Sequence, residues 1–97
     1  MKAVVTRAAQ QELDRAAAYL DGQKTGLGER LHAEFQAAAA RIVENPALYP
    51  KAVRDARKCN VHKFPYAIIY RVRGDAVTIV AFMHLHRKPG YWHARLS

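Results

Sequence analysis

The spacing of apolar residues in this 97-residue chain changes once, from a helical period to a strand period. Up to Glu44, apolar side chains recur every three or four positions, as on one face of an α-helix. From Val61 onward they alternate with other residues, as they do along a β-strand. Two helical segments followed by strands are typical of an α+β protein whose helices share one face of a sheet. This change of period constrains the fold more than any other feature of the sequence.

The first half predicts a strand and two helices. KAVVT (2–6) favours a short strand, and Thr6 is suited to cap the helix that follows. The first helix is RAAQQELDRAAAYLDG, which we expect to end at Asp21–Gly22. The second is GERLHAEFQAAAARIVEN, which we expect to end at Asn45–Pro46. The short linker between them predicts an antiparallel helix hairpin.

The second half predicts three strands, so that the element order is β-α-α-β-β-β. The segment VRDARKCNV (53–61) is the weakest of them, and VHKFPYAIIYRV (61–72) alternates clearly. Gly74–Asp75 favours a hairpin turn into the last strand, AVTIVAFMHL (76–85). We therefore expect an α+β fold in which the helix hairpin packs on one face of a mostly antiparallel twisted sheet. The other face of the sheet is expected to be open.

Length and composition restrict the class of protein. A chain of 97 residues is expected to form a single domain, 1–97. Its only cysteine, Cys59, cannot form an internal disulfide, which favours a reducing compartment. No apolar run approaches the roughly 18 residues that a membrane span needs, and the N-terminal apolar run is too short for a signal peptide. We expect a cytoplasmic protein that has no contact with membranes.

The net charge of +8 lies entirely in the second half of the chain. Residues 1–48 carry equal numbers of acidic and basic side chains, whereas residues 49–97 carry ten lysines and arginines against two aspartates. Four of the five histidines also lie there. Such segregation predicts a positive surface that attracts nucleic acid or an acidic protein.

Basic groups from three segments, Arg57–Lys58, Arg71 and Arg87–Lys88, are expected to converge on a single concavity at the open face of the sheet, and the last of these lies in the segment HLHRKPGYWHAR (84–95). Trp92 is expected to fold back as a lid over the helix–sheet core. His84 is expected to hydrogen-bond to the backbone. Since no third ligand joins His84 and His86 on their strand, neither a metal site nor a cofactor is predicted. The candidate target-binding residues are Arg57, Lys58, Arg71, His84, His86, Arg87, Lys88, Tyr91 and Arg95.

The stretch FPYAIIYRVRGDAVTIVAFMHLHRKPGYW (64–92) resembles the RelE/ParE family of type II toxin–antitoxin toxins. The preceding helix hairpin fits the same family, so the resemblance covers nearly the whole chain. It implies a small, basic, cytoplasmic toxin with the β-α-α-β-β-β fold. It also implies a partner, an acidic antitoxin that holds the toxin inactive.

The family contains two branches, and the residue after Tyr66 bears on the choice between them. The ribonuclease branch has an arginine at that position, where this chain has Ala67. A methyl group cannot stabilise the charge that develops on a phosphate. The resemblance therefore favours the ParE-like (plasmid stabilisation) branch, whose members poison DNA gyrase. It implies a toxin that binds gyrase or the gyrase–DNA complex and performs no chemistry of its own.

Two alternatives stay open at this point. The first is a metal-free endoribonuclease that cuts mRNA on the ribosome, with Arg71, Arg87 and Tyr91 as its catalytic residues. The second is an inactive binding module that keeps the toxin fold.

Overall fold

The structure, a computed structural model, describes residues 1–97 as two helices packed on one face of a five-stranded sheet. The sheet order is β1-β5-β4-β3-β2, with β1 parallel to β5 and every other pair antiparallel. The α+β prediction is therefore confirmed. The elements are β1 (Lys2–Val5), α1 (Arg7–Gln23), α2 (Leu27–Glu44), β2 (Lys51–Val53), β3 (Ala56–Asn60), β4 (Tyr66–Arg73), β5 (Ala76–His84) and a 3-10 turn (His93–Leu96).

The segment predicted as the weak strand 53–61 contributes to two strands, β2 and β3. A tight turn at Arg54 and Asp55 separates them, and Arg54 adopts a left-handed conformation with φ of 52°. Because this turn contains neither glycine nor proline, the sequence carries no strong signal for it. The element order is thus β-α-α-β-β-β-β.

Side-chain caps position the helix hairpin. Thr6 Oγ1 accepts a hydrogen bond from the Ala9 N–H (3.2 Å), which confirms the predicted cap of α1. The predicted end of α1 at Asp21–Gly22 is wrong, because the helix continues to Gln23. Asp21 instead caps the next helix: its carboxylate accepts from the backbone N–H groups of Gly26 (3.1 Å) and Gly28 (2.8 Å). These two hydrogen bonds replace those of a capping side chain, which Gly26 at the start of α2 lacks.

The main core lies between the helix hairpin and the sheet. Phe35 of α2 packs edge-on against Phe82 of β5, with ring centroids 5.5 Å apart. Phe82 also stacks on Tyr66 of β4, at 5.1 Å. Large side chains fully buried in this core are Leu13, Leu31, Phe35, Ile42, Ile68, Tyr70, Val77 and Ile79.

The opposite face of the sheet carries a second, smaller core. A bulge in β5 sends the two consecutive residues Val80 and Ala81 to this face, since Ile69 pairs with Ala81 and Tyr70 with Ile79. The C-terminal residues cover it. The second core consists of Ala56, Ala67, Ile69, Val80, Ala81, Met83, Trp92 and Leu96. The expectation of an open face is therefore wrong here, because its apolar side chains need a cover of their own.

Trp92 is buried, with 3% of its surface exposed. It packs on the face opposite the helices. The prediction that it folds back is confirmed, but the prediction that it lies over the helix–sheet core is wrong.

Candidate functional site

The C-terminal segment, residues 84–97, runs from the end of β5 across the second core. The chain turns after His84, bends again at Gly90 (φ 90°) and ends in the short 3-10 turn. Trp92 and Leu96 anchor it by burial. Arg71 anchors it by hydrogen bonding, because its Nη1 donates to the Leu96 carbonyl at 2.9 Å. The segment is thus held on the sheet by apolar and polar contacts.

An ion pair ties the segment to α1. Pairing of β1 with β5 stops at Ile79, so the edge of β5 beyond it has no strand beside it. Glu12 accepts a hydrogen bond from the Phe82 N–H (3.1 Å), and Arg95 donates to the Val80 carbonyl (3.0 Å). Arg95 Nη1 also donates to Glu12 Oε1 at 2.9 Å. The pair supplies the hydrogen bonds that a neighbouring strand would otherwise make.

The surroundings of Glu12 keep its carboxylate ionised. Burial by itself raises the pKa of Glu12, but the groups that face it outweigh burial and lower the pKa below its ordinary value. Those groups are Arg95, the hydroxyl of Tyr91 and the N–H of Phe82. Burial, reinforced by the Glu12 carboxylate, raises the pKa of Tyr91. The Tyr91 hydroxyl is therefore neutral, and it is buried without a well-formed hydrogen bond.

Stability should respond to acid through Glu12. The folded state lowers the pKa of Glu12, so the ionised carboxylate stabilises the fold. This stabilisation is fully present above pH 4.5, the ordinary pKa of glutamate, and is lost as pH falls further. Glu12→Gln is expected to cost about 2 kcal/mol at neutral pH, since it weakens charge-assisted hydrogen bonds in a buried place. Thermal unfolding at about pH 7 and about pH 3 measures this.

The difference in stability between wild type and Glu12→Gln should shrink at the acid pH. Glu44→Gln removes the same charge from an exposed site and serves as the control. An acid response of the same size in wild type and Glu12→Gln would contradict the assignment.

Arg87 stacks on the ring of Tyr91 and is exposed to solvent. The Arg87 guanidinium carbon lies 3.8 Å from the centroid of the Tyr91 ring, and that of Arg95 lies 5.2 Å from it. Arg87 and the adjacent Lys88 are exposed and form no ion pair. Stacking on an aromatic ring restrains a guanidinium without neutralising it. The structure therefore holds an uncompensated positive charge on a fixed part of the surface.

The rings of His84 and His86 lie side by side at the end of β5. Their ring centroids are 5.1 Å apart, and the His84 ring meets Tyr66 edge-on at 5.0 Å. His84 Nδ1 accepts from the His86 N–H at 3.0 Å, which confirms the predicted bond to the backbone. The prediction that both lie on one strand is wrong, because β5 ends at His84. No group of three metal-binding side chains forms around them.

The predicted convergence of three basic segments on one concavity is wrong in part. Arg57 pairs with Tyr70, whose side chain lies in the main core, and its Nη1 donates to the Tyr49 carbonyl at 2.7 Å. It therefore lies on the helix side of the sheet. Lys58 lines a cavity of about 280 Å³ together with Trp92 of the C-terminal segment. Of Arg57 and Lys58, only Lys58 therefore reaches the predicted surface.

Arg71 and Arg95, two more of the predicted target-binding residues, form their hydrogen bonds and ion pairs within the protein. Arg71 bridges Asp55 (3.0 Å) and the Leu96 carbonyl, and only 12% of its side chain is exposed. Arg95 is held by Glu12. Both guanidinium groups thus serve the attachment of the C-terminal segment, and Arg87 and Lys88 remain as its free cations.

Sequence reasoning missed Glu12, although its position carries a signal. It lies three residues after Ala9 and next to Leu13, so it lies on the buried side of α1. A carboxylate there needs a partner, and that partner comes from the other end of the chain. Arg41 and His62 were also missed; together with Lys58 they line a basic depression at the outer edge of the sheet.

Neither helix combines the length and apolar character that crossing a membrane requires.

Comparisons with known proteins identify the family and support the fold. The sequence model of a family described as "ParE toxin of type II toxin-antitoxin system, parDE" matches residues 3–89. Among solved structures, a chain of the "Chromosomal ParDE TA system from P. aeruginosa" is similar, with 17% sequence identity and a TM-score of 0.67. The match covers 89% of this chain and 97% of that chain, and at this identity it shows the fold alone. A search of curated proteins finds no match.

Proposed function

Because the chain belongs to the ParE family of type II toxin–antitoxin toxins, we propose that it arrests growth by poisoning DNA gyrase. In this proposal it binds gyrase or the gyrase–DNA complex, performs no chemistry of its own and needs no cofactor. It acts in the cytoplasm as a single domain, and a small acidic antitoxin neutralises it.

The observation that carries the proposal is the pair of exposed cations Arg87 and Lys88. They lie on a segment that burial, Arg71 and Arg95 hold in place. A fixed, unpaired positive patch attracts a negatively charged surface at long range and fits it without rearrangement. Both DNA and an acidic protein surface meet this description.

The residues of the ribonuclease alternative are poorly placed for catalysis. Ala67 is fully buried, so this position offers a substrate no group at all. Arg71 is committed to Asp55 and the Leu96 carbonyl. The Tyr91 hydroxyl is buried beside Glu12. Of the three proposed catalytic residues, only Arg87 is exposed, and one cation does not supply an acid and a base.

The experiment is induction of the protein in bacterial cells, with DNA and mRNA followed in parallel. We expect growth arrest, a DNA-damage response and trapped gyrase–DNA complexes, without cuts in ribosome-bound mRNA. Cuts at the ribosomal A site without DNA breaks would instead establish the ribonuclease. Harmless expression of the folded protein would leave the inactive binding module as the correct reading.

A further inference from the structure

A cavity of about 280 Å³ lies between the sheet and the C-terminal segment. Strands β2, β3, β4 and β5 line one part of it, and residues of the C-terminal segment line the rest. Its volume is close to the lower end of the range of about 300–1,000 Å³ that is usual for small-molecule sites. A ligand that fills this cavity would contact the sheet and the C-terminal segment at once.

The lining of the cavity is mostly apolar, and no acidic residue takes part in it. Small-molecule sites commonly combine such a lining with a few polar groups that fix the orientation of the ligand. Here the charged side chain is that of Lys58, and the His93 ring lies on the segment side. The apolar lining side chains are those of Ala52, Val53, Ile69, Met83 and Trp92.

The cavity is lined by hydrogen-bond donors that lack acceptors. Lys58 pairs with Ile69 across β3 and β4, which places its side chain on the face of the second core. It is half-buried and forms no ion pair. The indole N–H of Trp92 is buried without a partner, although buried tryptophans usually find one. A partly desolvated cation and an unpaired N–H both favour an occupant that carries oxygen acceptors and a negative charge.

The segment side of the cavity is a tightly packed turn. Gly90 has a φ of 90°, and the His93 N–H donates to its carbonyl at 3.0 Å. The His93 ring packs so closely on this turn that a Cβ at Gly90 would lie 2.8 Å from it. On its other side the same ring meets Trp92 edge-on, with ring centroids 4.6 Å apart. Because this wall is formed by contacts within the protein, little ordering is needed when a ligand binds.

We propose that the cavity binds a small carboxylate that has a compact apolar body. The apolar body lies against Ile69, Met83 and Trp92, and the carboxylate accepts a charge-assisted hydrogen bond from Lys58. The single cation matches a single negative charge, and the volume is too small for a nucleotide or a peptide. The proposed site is separate from Arg87 and Lys88, neither of which lines the cavity. It adds a ligand to this protein that the proposed action on gyrase does not require.

The test uses cyclohexanecarboxylate, which joins a carboxylate to an apolar ring and is transparent where tryptophan absorbs. Trp92 is the only tryptophan of the chain and lines the cavity, so its fluorescence reports binding directly. We expect a saturable change in fluorescence with a Kd of about 1 mM or lower, which is within reach of a ligand of this size. The melting temperature should also rise with ligand concentration, because the ligand binds only the folded protein.

Lys58→Gln is expected to weaken binding of the carboxylate by about fivefold or more, because a charge-assisted hydrogen bond is lost. Cyclohexanecarboxamide has nearly the same shape without the charge and should bind the wild type and Lys58→Gln alike. Lys24→Gln makes the same exchange at an exposed position after α1 and should bind like the wild type. Ala52→Phe enlarges an exposed lining residue and should exclude both ligands. Melting temperatures without ligand verify that all variants are folded.

Three outcomes would overturn the inference. One is the absence of a saturable change in Trp92 fluorescence in the wild type. Another is equal affinity of the carboxylate for the wild type and Lys58→Gln, which would remove the basis for an anionic ligand. The last is full affinity in folded Ala52→Phe, which would place the ligand elsewhere. Neither gyrase nor cell growth enters these measurements, so their outcome is independent of the proposed toxicity.

Discussion

Replacing Trp92 with alanine is expected to lower the free energy of unfolding by about 3 kcal/mol or more, because it leaves a cavity in the second core. Trp92 is the largest side chain in that cluster and is 3% exposed. Its indole N–H has no hydrogen-bond partner, so its contribution is apolar packing. Trp92→Phe should therefore cost less than Trp92→Ala. Urea denaturation of the three proteins measures these differences.

Tyr19→Ala is the control for Trp92→Ala. Tyr19 is an aromatic residue of α1 that is 64% exposed, so its removal deletes a ring without leaving a cavity. We expect its free energy of unfolding to stay within about 0.5 kcal/mol of the wild type. If Trp92→Ala were as stable as Tyr19→Ala, the C-terminal segment would not be packed on the sheet as described.

The helix hairpin and the main core were predictable because their signals are local. Apolar spacing in α1 places Ala9, Leu13 and Ala16 on one face, and all three are buried. The same holds for Leu31, Phe35 and Ala38 of α2. Each pattern lies within one element, and a helix with one apolar stripe has one place to bury it. The predicted helix hairpin is therefore confirmed.

The covered second face was missed although β5 carries a signal for it. Residues 76–83 are almost entirely apolar, whereas a strand with one open face alternates apolar and polar residues. An apolar run of this kind is typical of a strand that is buried on both faces. The charges of the following segment suggested a solvated surface instead. The bulge at Val80 and Ala81, which increases the apolar area of that face, has no marker in the sequence.

The partners of Arg71 and Arg95 were unpredictable for a different reason. Arg71 donates to the carbonyl of Leu96, and Arg95 donates to the carbonyl of Val80. A backbone carbonyl is present at every residue, so the sequence does not identify which one accepts the bond. Counting basic side chains thus overestimated the number of free cations on this surface.

The cations around the C-terminal segment form an inward-facing group and an outward-facing group. Arg95, on the segment, and Arg71, on β4, hold it to the sheet and to Glu12. Arg87 and Lys88 make no such contact and face outward. Stability and target binding are therefore expected to depend on different residues within the same short stretch. Substitutions can test the two roles independently.

Arg87→Glu/Lys88→Glu is expected to abolish growth arrest while the protein stays folded. The exchange reverses the local field, so attraction to DNA or to an acidic protein surface becomes repulsion. Exposed charges contribute little to stability, and stacking of Arg87 on Tyr91 adds about 0.5–1 kcal/mol at an exposed site. The melting temperature should therefore fall by only a few degrees. Growth after induction and thermal unfolding of the purified variant measure the two effects.

Lys24→Glu/Arg30→Glu is the matched control, since it changes the net charge equally at two exposed positions around the helix hairpin. It should remain toxic, because long-range attraction depends on where the charges lie as well as on their sum. A fully toxic Arg87→Glu/Lys88→Glu protein would show that the target binds elsewhere on the surface. Loss of toxicity in both double variants would show that net charge alone governs toxicity, with no specific role for the C-terminal segment.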